Sequence, residues 1–242
     1  MKIGLIGGYG HISVVHYPGA ELVWACDGYD RRAEERSKKL GHRCFEDAET
    51  MLREFQPDVV YVGTVFGNHG RWCADLLSRG LPVICEKPFA TELEDVGKIA
   101  SMIRGGGPRL LAEFAMRWNP AFVRAREIIQ SGKLGKIAFV QAQKTYKFGK
   151  SRPDFYRDRK TFGGIELWVA VHAIDYAAWC VGKNYVSVSA THGNLCHPGY
   201  PGMEDYSVMD YEMEGGIPCR ITADFLRPAG ASGHGDDRLR VT

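Results

Sequence analysis

The 242-residue sequence is most easily approached through what it lacks. It has no long apolar run: its most hydrophobic stretches, residues 59–66 and 167–174, fall far short of the ~20 residues that span a bilayer. The apolar start at Met1 dies at Gly7-Gly8 with no small-residue cleavage site behind it, so no signal peptide is expected. Charge of one sign is missing too. Lys and Arg number 31 against 29 Asp and Glu, a net +2, which removes the basic field that nucleic acid or an anionic membrane requires. No C-x-x-C pair occurs; cysteines 26, 44, 73, 85, 180, 196 and 219 are odd in number, scattered and mostly set in apolar patterns. A disulfide framework is thereby excluded, and a reducing cytoplasm is the expected location. There is no Gly-x-Ser-x-Gly elbow and no Walker loop, so hydrolase and NTPase readings have no site. His192, Cys196 and His197 match no common zinc spacing, and no metal is expected.

What remains is an ordinary globular composition, 45% hydrophobic and 25% charged, with one excess: 29 glycines, against a usual frequency of about 7%. Short Val/Ile/Leu runs at residues 2–6, 21–26, 58–63, 83–85 and 109–114 alternate with helical patterns. Asp30 is placed to cap the helix ending at Leu40-Gly41, and Thr91-Glu92-Leu93-Glu94 reads as a capping box with Leu93, Val96, Ile99 and Ala100 on the buried stripe. Alternation of this regularity predicts α/β architecture, a doubly wound parallel sheet of the Rossmann type, over residues 1–118. After Asn119-Pro120 the texture changes. Strand-like alternation at 136–148, 185–192, 206–213 and 217–225, interrupted by one helix at 172–181, predicts an α+β domain over 119–242 with a largely antiparallel open sheet.

A dinucleotide needs a turn where backbone N–H groups meet a pyrophosphate. Gly8-x-Gly10-x-x-Ser13 places small residues at all three positions of such a turn, whereas the register starting at Gly7 puts Tyr9 at the second. Asp27 follows 19 residues beyond Gly8 at the end of the second strand, where a carboxylate holds ribose hydroxyls. Its charge points to NAD, while Arg31 and Arg32 leave NADP open. Between Lys144 and Lys160, seven cations stand against Asp154 and Asp158, with aromatics interleaved. This run is either a solvated loop or a site for an acidic sugar.

Glu86-Lys87-Pro88, Arg117 to Pro120, Gly163-Gly164 and His172-Ala173-Ile174-Asp175 occur in that order. This constellation resembles the Gfo/Idh/MocA family of NAD(P)-dependent oxidoreductases, over nearly the whole chain. The resemblance implies hydride transfer between a nicotinamide and a sugar, polyol or sugar derivative. It implies Lys87 at the substrate hydroxyl and near the nicotinamide, His172 as proton acceptor or substrate-orienting group, and Thr64, His69, Glu86 and Lys87 beside Gly8, Gly10, Ser13 and Asp27 at the cofactor. Arg117, Trp168, Asp175 and Tyr156 are expected to shape the substrate pocket. One position departs from the pattern. Family dehydrogenases commonly carry Asp four residues before the His, and here that residue is Trp168. His172 with Lys87 suffices, or Tyr146, Tyr156 or Glu166 replaces the carboxylate, or dehydrogenase activity is lost and a silent binder remains. A lyase or glycosidase using NAD transiently is a further alternative. The family also implies further strands beyond Thr242, hence a second domain cut short and homo-oligomers formed through its sheet.

Overall fold

The computed structural model describes residues 1–10 and 18–242, which divide into two compact units, Met1–Glu113 and Phe114–Thr242. The division falls a few residues ahead of 118/119, because the 3-10 turn Ala115–Trp118 packs with the helices of the second unit.

In the first unit, six parallel strands are described: β1 (Lys2–Ile6), β2 (Glu21–Ala25), β3 (Cys44–Phe45), β4 (Val59–Val62), β5 (Val83–Cys85) and β6 (Leu110–Ala112). Their order is β3-β2-β1-β4-β5-β6, which reverses direction between β1 and β4, where doubly wound sheets open a crevice. The two-residue β3 is too short to leave a periodic signal in the sequence. Alternate side chains feed two apolar layers, Ile6, Val23, Val60 and Val62 on one face and Leu5, Trp24 and Tyr61 on the other. Burial on both faces is why these strands read as continuous apolar runs. The helices are α1 (Arg32–Leu40), α2 (Ala48–Phe55), α3 (His69–Ser78) and α4 (Leu93–Arg104).

Two capping expectations are corrected. Asp30 accepts the Arg32 N–H from outside α1, and Arg31 holds the cap position. At α4 the cap position is Glu92, which makes no side-chain cap, and Leu93 is 89% exposed. The helix buries Ile99 and turns Leu93 to solvent, so the 3.6-residue stripe starts one turn later than the apolar letters suggest.

The second unit carries α5 (Pro120–Gln130), β7 (Val140–Tyr146), α6 (Arg159–Phe162), α7 (Val171–Val181), β8 (Tyr185–Gly193), β9 (Tyr206–Met213), β10 (Ile217–Asp224) and β11 (Gly235–Val241). Asn119 caps α5 by accepting the Ala121 N–H, with Pro120 at the first helical position. The strand order is β11-β7-β10-β9-β8, antiparallel except between β10 and β7. β11 begins at Gly235 and pairs along its whole length with β7. α7 packs on the sheet through Tyr176, whose hydroxyl donates to the Gln143 carbonyl. A π-helix, Glu166–Ala170, leads directly into α7.

Candidate active site

In the first unit, the predicted cofactor residues gather at the carboxyl ends of the strands. The turn after β1 needs glycine for two separate reasons. Gly7 and Gly10 have φ of +84° and +92°, and a Cβ on Gly8 would lie 2.6 Å from the α1 backbone. The Tyr9 N–H donates to the Gly63 carbonyl (2.7 Å), which ties this turn to the end of β4. Ser13 lies outside the described residues.

Asp27, just past β2, is only 8% exposed. One carboxylate oxygen accepts the Tyr29 N–H (3.0 Å), whereas the other, Oδ2, is buried and has no hydrogen-bond partner among the described residues. Burial pushes the Asp27 pKa up, with a smaller contribution from the nearby Asp30 charge.

Beyond β4 and β5, Thr64, His69, Glu86 and Lys87 are all buried. His69 is clamped between two carbonyls, Nδ1 at 2.7 Å from Pro88 O and Nε2 at 3.0 Å from Thr64 O. Both carbonyls favour the imidazolium, yet complete burial outweighs them and lowers the pKa. His69 thus staples the segment after β4 to the Lys87-Pro88 turn. Lys87 is among the largest fully enclosed side chains of the chain. Sequence reasoning missed the support beneath this turn. The Tyr61 hydroxyl sits 3.1 Å from Glu86 Oε1 and 2.9 Å from Glu113 Oε2, one hydrogen shared between two carboxylates. Burial, reinforced by those charges, raises its pKa far above the usual phenol range. A polar Tyr within an otherwise apolar strand was the available signal. Glu86 in turn fills the space that a Cβ on Gly10 would occupy.

In the second unit, His172 is buried in the first turn of α7, and Trp168, half-buried, lies on the π-helix before it. Arg117 and Asp175 meet in a bidentate pair (2.6 and 3.0 Å), so each satisfies the other and together they brace the 3-10 turn against α7. Tyr156 is buried among Phe155, Phe162 and Phe225, and burial raises its pKa. Glu166 accepts from His192 Nδ1 (2.6 Å), and Tyr146 packs beside His234 and Lys144. His192, Cys196 and His197 do not converge. His192 joins Glu166 and Glu204, while His197 pairs with Asp205. The Glu204 carboxylate is itself held by Arg159 and the Ile165 N–H.

Residues 1–114 match the family described as oxidoreductases with an NAD-binding Rossmann fold, and residues 122–242 match the GFO/IDH/MocA C-terminal domain. The chain belongs to the Gfo/Idh/MocA family. Among its relatives, scyllo-inositol 2-dehydrogenase (NAD(+)) of Bacillus subtilis is 28% identical over 92% of this chain and 66% of its own. D-xylose 1-dehydrogenase (NADP(+)) 2 of Haloferax volcanii is 25% identical over 94% and 70%. A solved structure from Thermotoga maritima, provisionally described as an oxidoreductase, is 32% identical with a TM-score of 0.93, covering 100% of this chain and 77% of that one. The chain spans between 64% and 66% of the length of the first curated relatives it matches. No helix among the described residues is long and apolar enough to cross a membrane.

The first unit fits the dinucleotide that this family is described as binding. Asp27 Oδ2, buried with no hydrogen-bond partner among the described residues, is an acceptor that a ribose hydroxyl can satisfy, and the turn at Gly8 and Gly10 packs so closely on α1 and Glu86 that only glycine fits there.

Proposed function

We propose that this family member transfers a hydride between NAD(H) and a secondary alcohol of a sugar, polyol or sugar derivative, with the first unit as cofactor domain and the second as substrate domain. Asp27 Oδ2, buried beside the glycine turn and without a hydrogen-bond partner among the described residues, carries the reading. Asp27 accepts from the ribose hydroxyls, and its charge disfavours a 2′-phosphate. Arg31 is engaged by Glu34 and Arg32 lies over the Tyr9 ring, which supports NAD over NADP. Thr64, His69 and Glu86 hold the floor of the turn, and Ser13, the third small position of the sequence fingerprint, lies outside the described residues. The nicotinamide supplies the hydride acceptor when bound.

Lys87 favours the alkoxide-like state of the reacting hydroxyl by its positive charge, and His172 takes the hydroxyl proton. Of the groups that could replace the missing Asp, Glu166 is bonded to His192 and Tyr156 is enclosed by aromatics. Tyr146 is stacked on His234, which leaves His172 as the favoured proton acceptor of the second unit. Trp168 offers a flat apolar face to the substrate, while Arg117 and Asp175 position α7. The free cysteines support a cytoplasmic location, and exposed Val186, Val188 and Val208 support association of copies through the second sheet.

The test is thermal stabilisation by NAD⁺, NADH, NADP⁺ and NADPH, followed by turnover of sugars and polyols with the nucleotide that stabilises. Stabilisation by NAD⁺ and a rise in nicotinamide absorbance with a polyol are expected; no shift with any nucleotide overturns the reading. Trp168 favours the silent-binder alternative, which predicts nucleotide binding without turnover. Oxidation that leaves no net NADH would favour the lyase alternative.

A further inference from the structure

The basic run between Lys144 and Lys160 does not act as one surface. Lys144 is buried against Asp237 (2.5 Å), Arg157 serves Asp154 and the Gly199 carbonyl, and Arg159 serves Glu204. Lys147 and Lys150 are placed differently, although the Lys147 ammonium also donates to the Ala231 carbonyl. They line a cavity of about 500 Å³ in the second unit, together with Phe148, Cys196, His197, Phe225 and Arg227. That volume suits a hexose-sized ligand. Three cations and no carboxylate are among its lining residues.

The walls are built from buried polar groups. Asp205, wholly buried, accepts from the Leu195 N–H (3.1 Å), the Cys196 N–H (2.6 Å) and His197 Nδ1 (3.0 Å). Its carboxylate thereby fixes both the loop and the orientation of the imidazole, whose face stacks on Phe148 at 3.8 Å. Asn194 secures the same loop by donating to the carbonyls of His197, Tyr200 and Met203. On the opposite wall Arg227 pairs with Asp236 (3.2 Å) and donates to the Ser232 carbonyl, but its Nε is buried and unpartnered among the described residues. Arg152, behind Phe148 and Phe225, also has a buried Nε with no partner among the described residues. A guanidinium N–H that is desolvated and unused costs free energy unless an acceptor arrives.

We propose that this cavity binds an oxyanion group, carboxylate or phosphate, of a small polyol-type molecule, with Lys147, Lys150 and Arg227 as its cationic contacts and Phe148 and Phe225 as its apolar wall. The proposal rests on the oxidoreductase reading only in taking that molecule as the substrate: the site sets an acidic sugar derivative apart from a neutral one. Anion binding itself needs no cofactor.

Cys196 lies on the rim, is exposed, and provides a readout on the unmodified chain, since the other cysteines are buried or, at Cys44, half-buried. The rate of Cys196 alkylation by iodoacetamide is measured without nucleotide, in the presence of D-gluconate, D-glucose 6-phosphate, D-glucose, or sodium chloride of matched ionic strength. Gluconate, glucose 6-phosphate or both are expected to slow alkylation saturably by tenfold or more, and the more effective acid identifies carboxylate or phosphate as the group recognised. Glucose and chloride are expected to leave the rate unchanged. In Lys150→Glu, at an exposed position, half-protection is expected to need at least tenfold more of the acid. Equal protection by glucose or chloride, no protection by either acid, or full protection retained in Lys150→Glu would overturn the proposal. A nucleotide thermal-shift series on the same preparation separates the two claims. NAD⁺ binding without acid protection removes only the anion site, and acid protection without nucleotide binding removes only the oxidoreductase reading.

Discussion

At the scale of single residues, Asp27 meets two opposing demands. Its carboxylate is desolvated in the nucleotide-free chain, so the folded state favours the protonated form and the pKa rises. The stability associated with that proton is complete below the unfolded value and is lost as pH rises through the raised folded value. Asp27→Asn is therefore expected to raise the melting temperature of the nucleotide-free chain at neutral pH. Near pH ~3, below the unfolded carboxylate pKa, it should leave the melting temperature almost unchanged. The same substitution should weaken NAD⁺ by roughly tenfold or more, the usual cost of losing hydrogen bonds to a charged group. Lys87 carries a different load. Lys87→Ala should lower kcat/KM on the order of a hundredfold, as removal of a charge at a developing alkoxide does. Nucleotide affinity measured by calorimetry should change far less; equal losses in both would indicate that Lys87 only holds the fold.

At the scale of elements, helix starts reveal what local patterns do and do not specify. Asp47 caps α2 by accepting the Thr50 N–H at 2.8 Å, and Asp47→Ala should cost about 1 kcal/mol in denaturant titration. Thr91, in a capping-box pattern that α4 does not form, should tolerate Ala within about 0.5 kcal/mol, and exposed Leu93 likewise. Strands flanked by glycine and proline were legible because two-sided burial demands long apolar runs. The π-helix Glu166–Ala170 was not legible, since its extra residue per turn comes from packing on β7 and β10 and not from local propensity. It also changes what Trp168 means, because spacing on an α-helix no longer relates residues 166 to 172. The partners of Tyr61 were equally hidden, because they lie 25 and 52 residues away; those of Asp205 lie only 8 to 10 residues upstream, but in a loop with no periodic pattern to reveal them.

At the scale of the whole molecule, the two units divide chemistry as they divide sequence. The parallel sheet aligns the turn after β1, Asp27, the Thr64–His69 segment and Glu86-Lys87 at the carboxyl ends of its strands. The mixed sheet carries α7 with His172 and Asp175, and presents the cationic cavity at Lys147, Lys150 and Arg227. The ordered sequence motifs name the residues that lie at the strand ends of the first unit, Ser13 being outside the described residues. In the second unit the motif at His172 and Asp175 was legible, whereas the cavity lined by Lys147, Lys150 and Arg227 showed only as a basic run, because its walls are assembled from separate loops. Central to the account is that the first unit holds NAD through Asp27. Calorimetric titration of the full chain with NAD⁺, repeated on Asp27→Ala, addresses that claim most directly. Saturable binding by the unaltered chain, weakened roughly tenfold or more in the variant, is the expected result. Absence of binding, or equal affinity in both proteins, would contradict it.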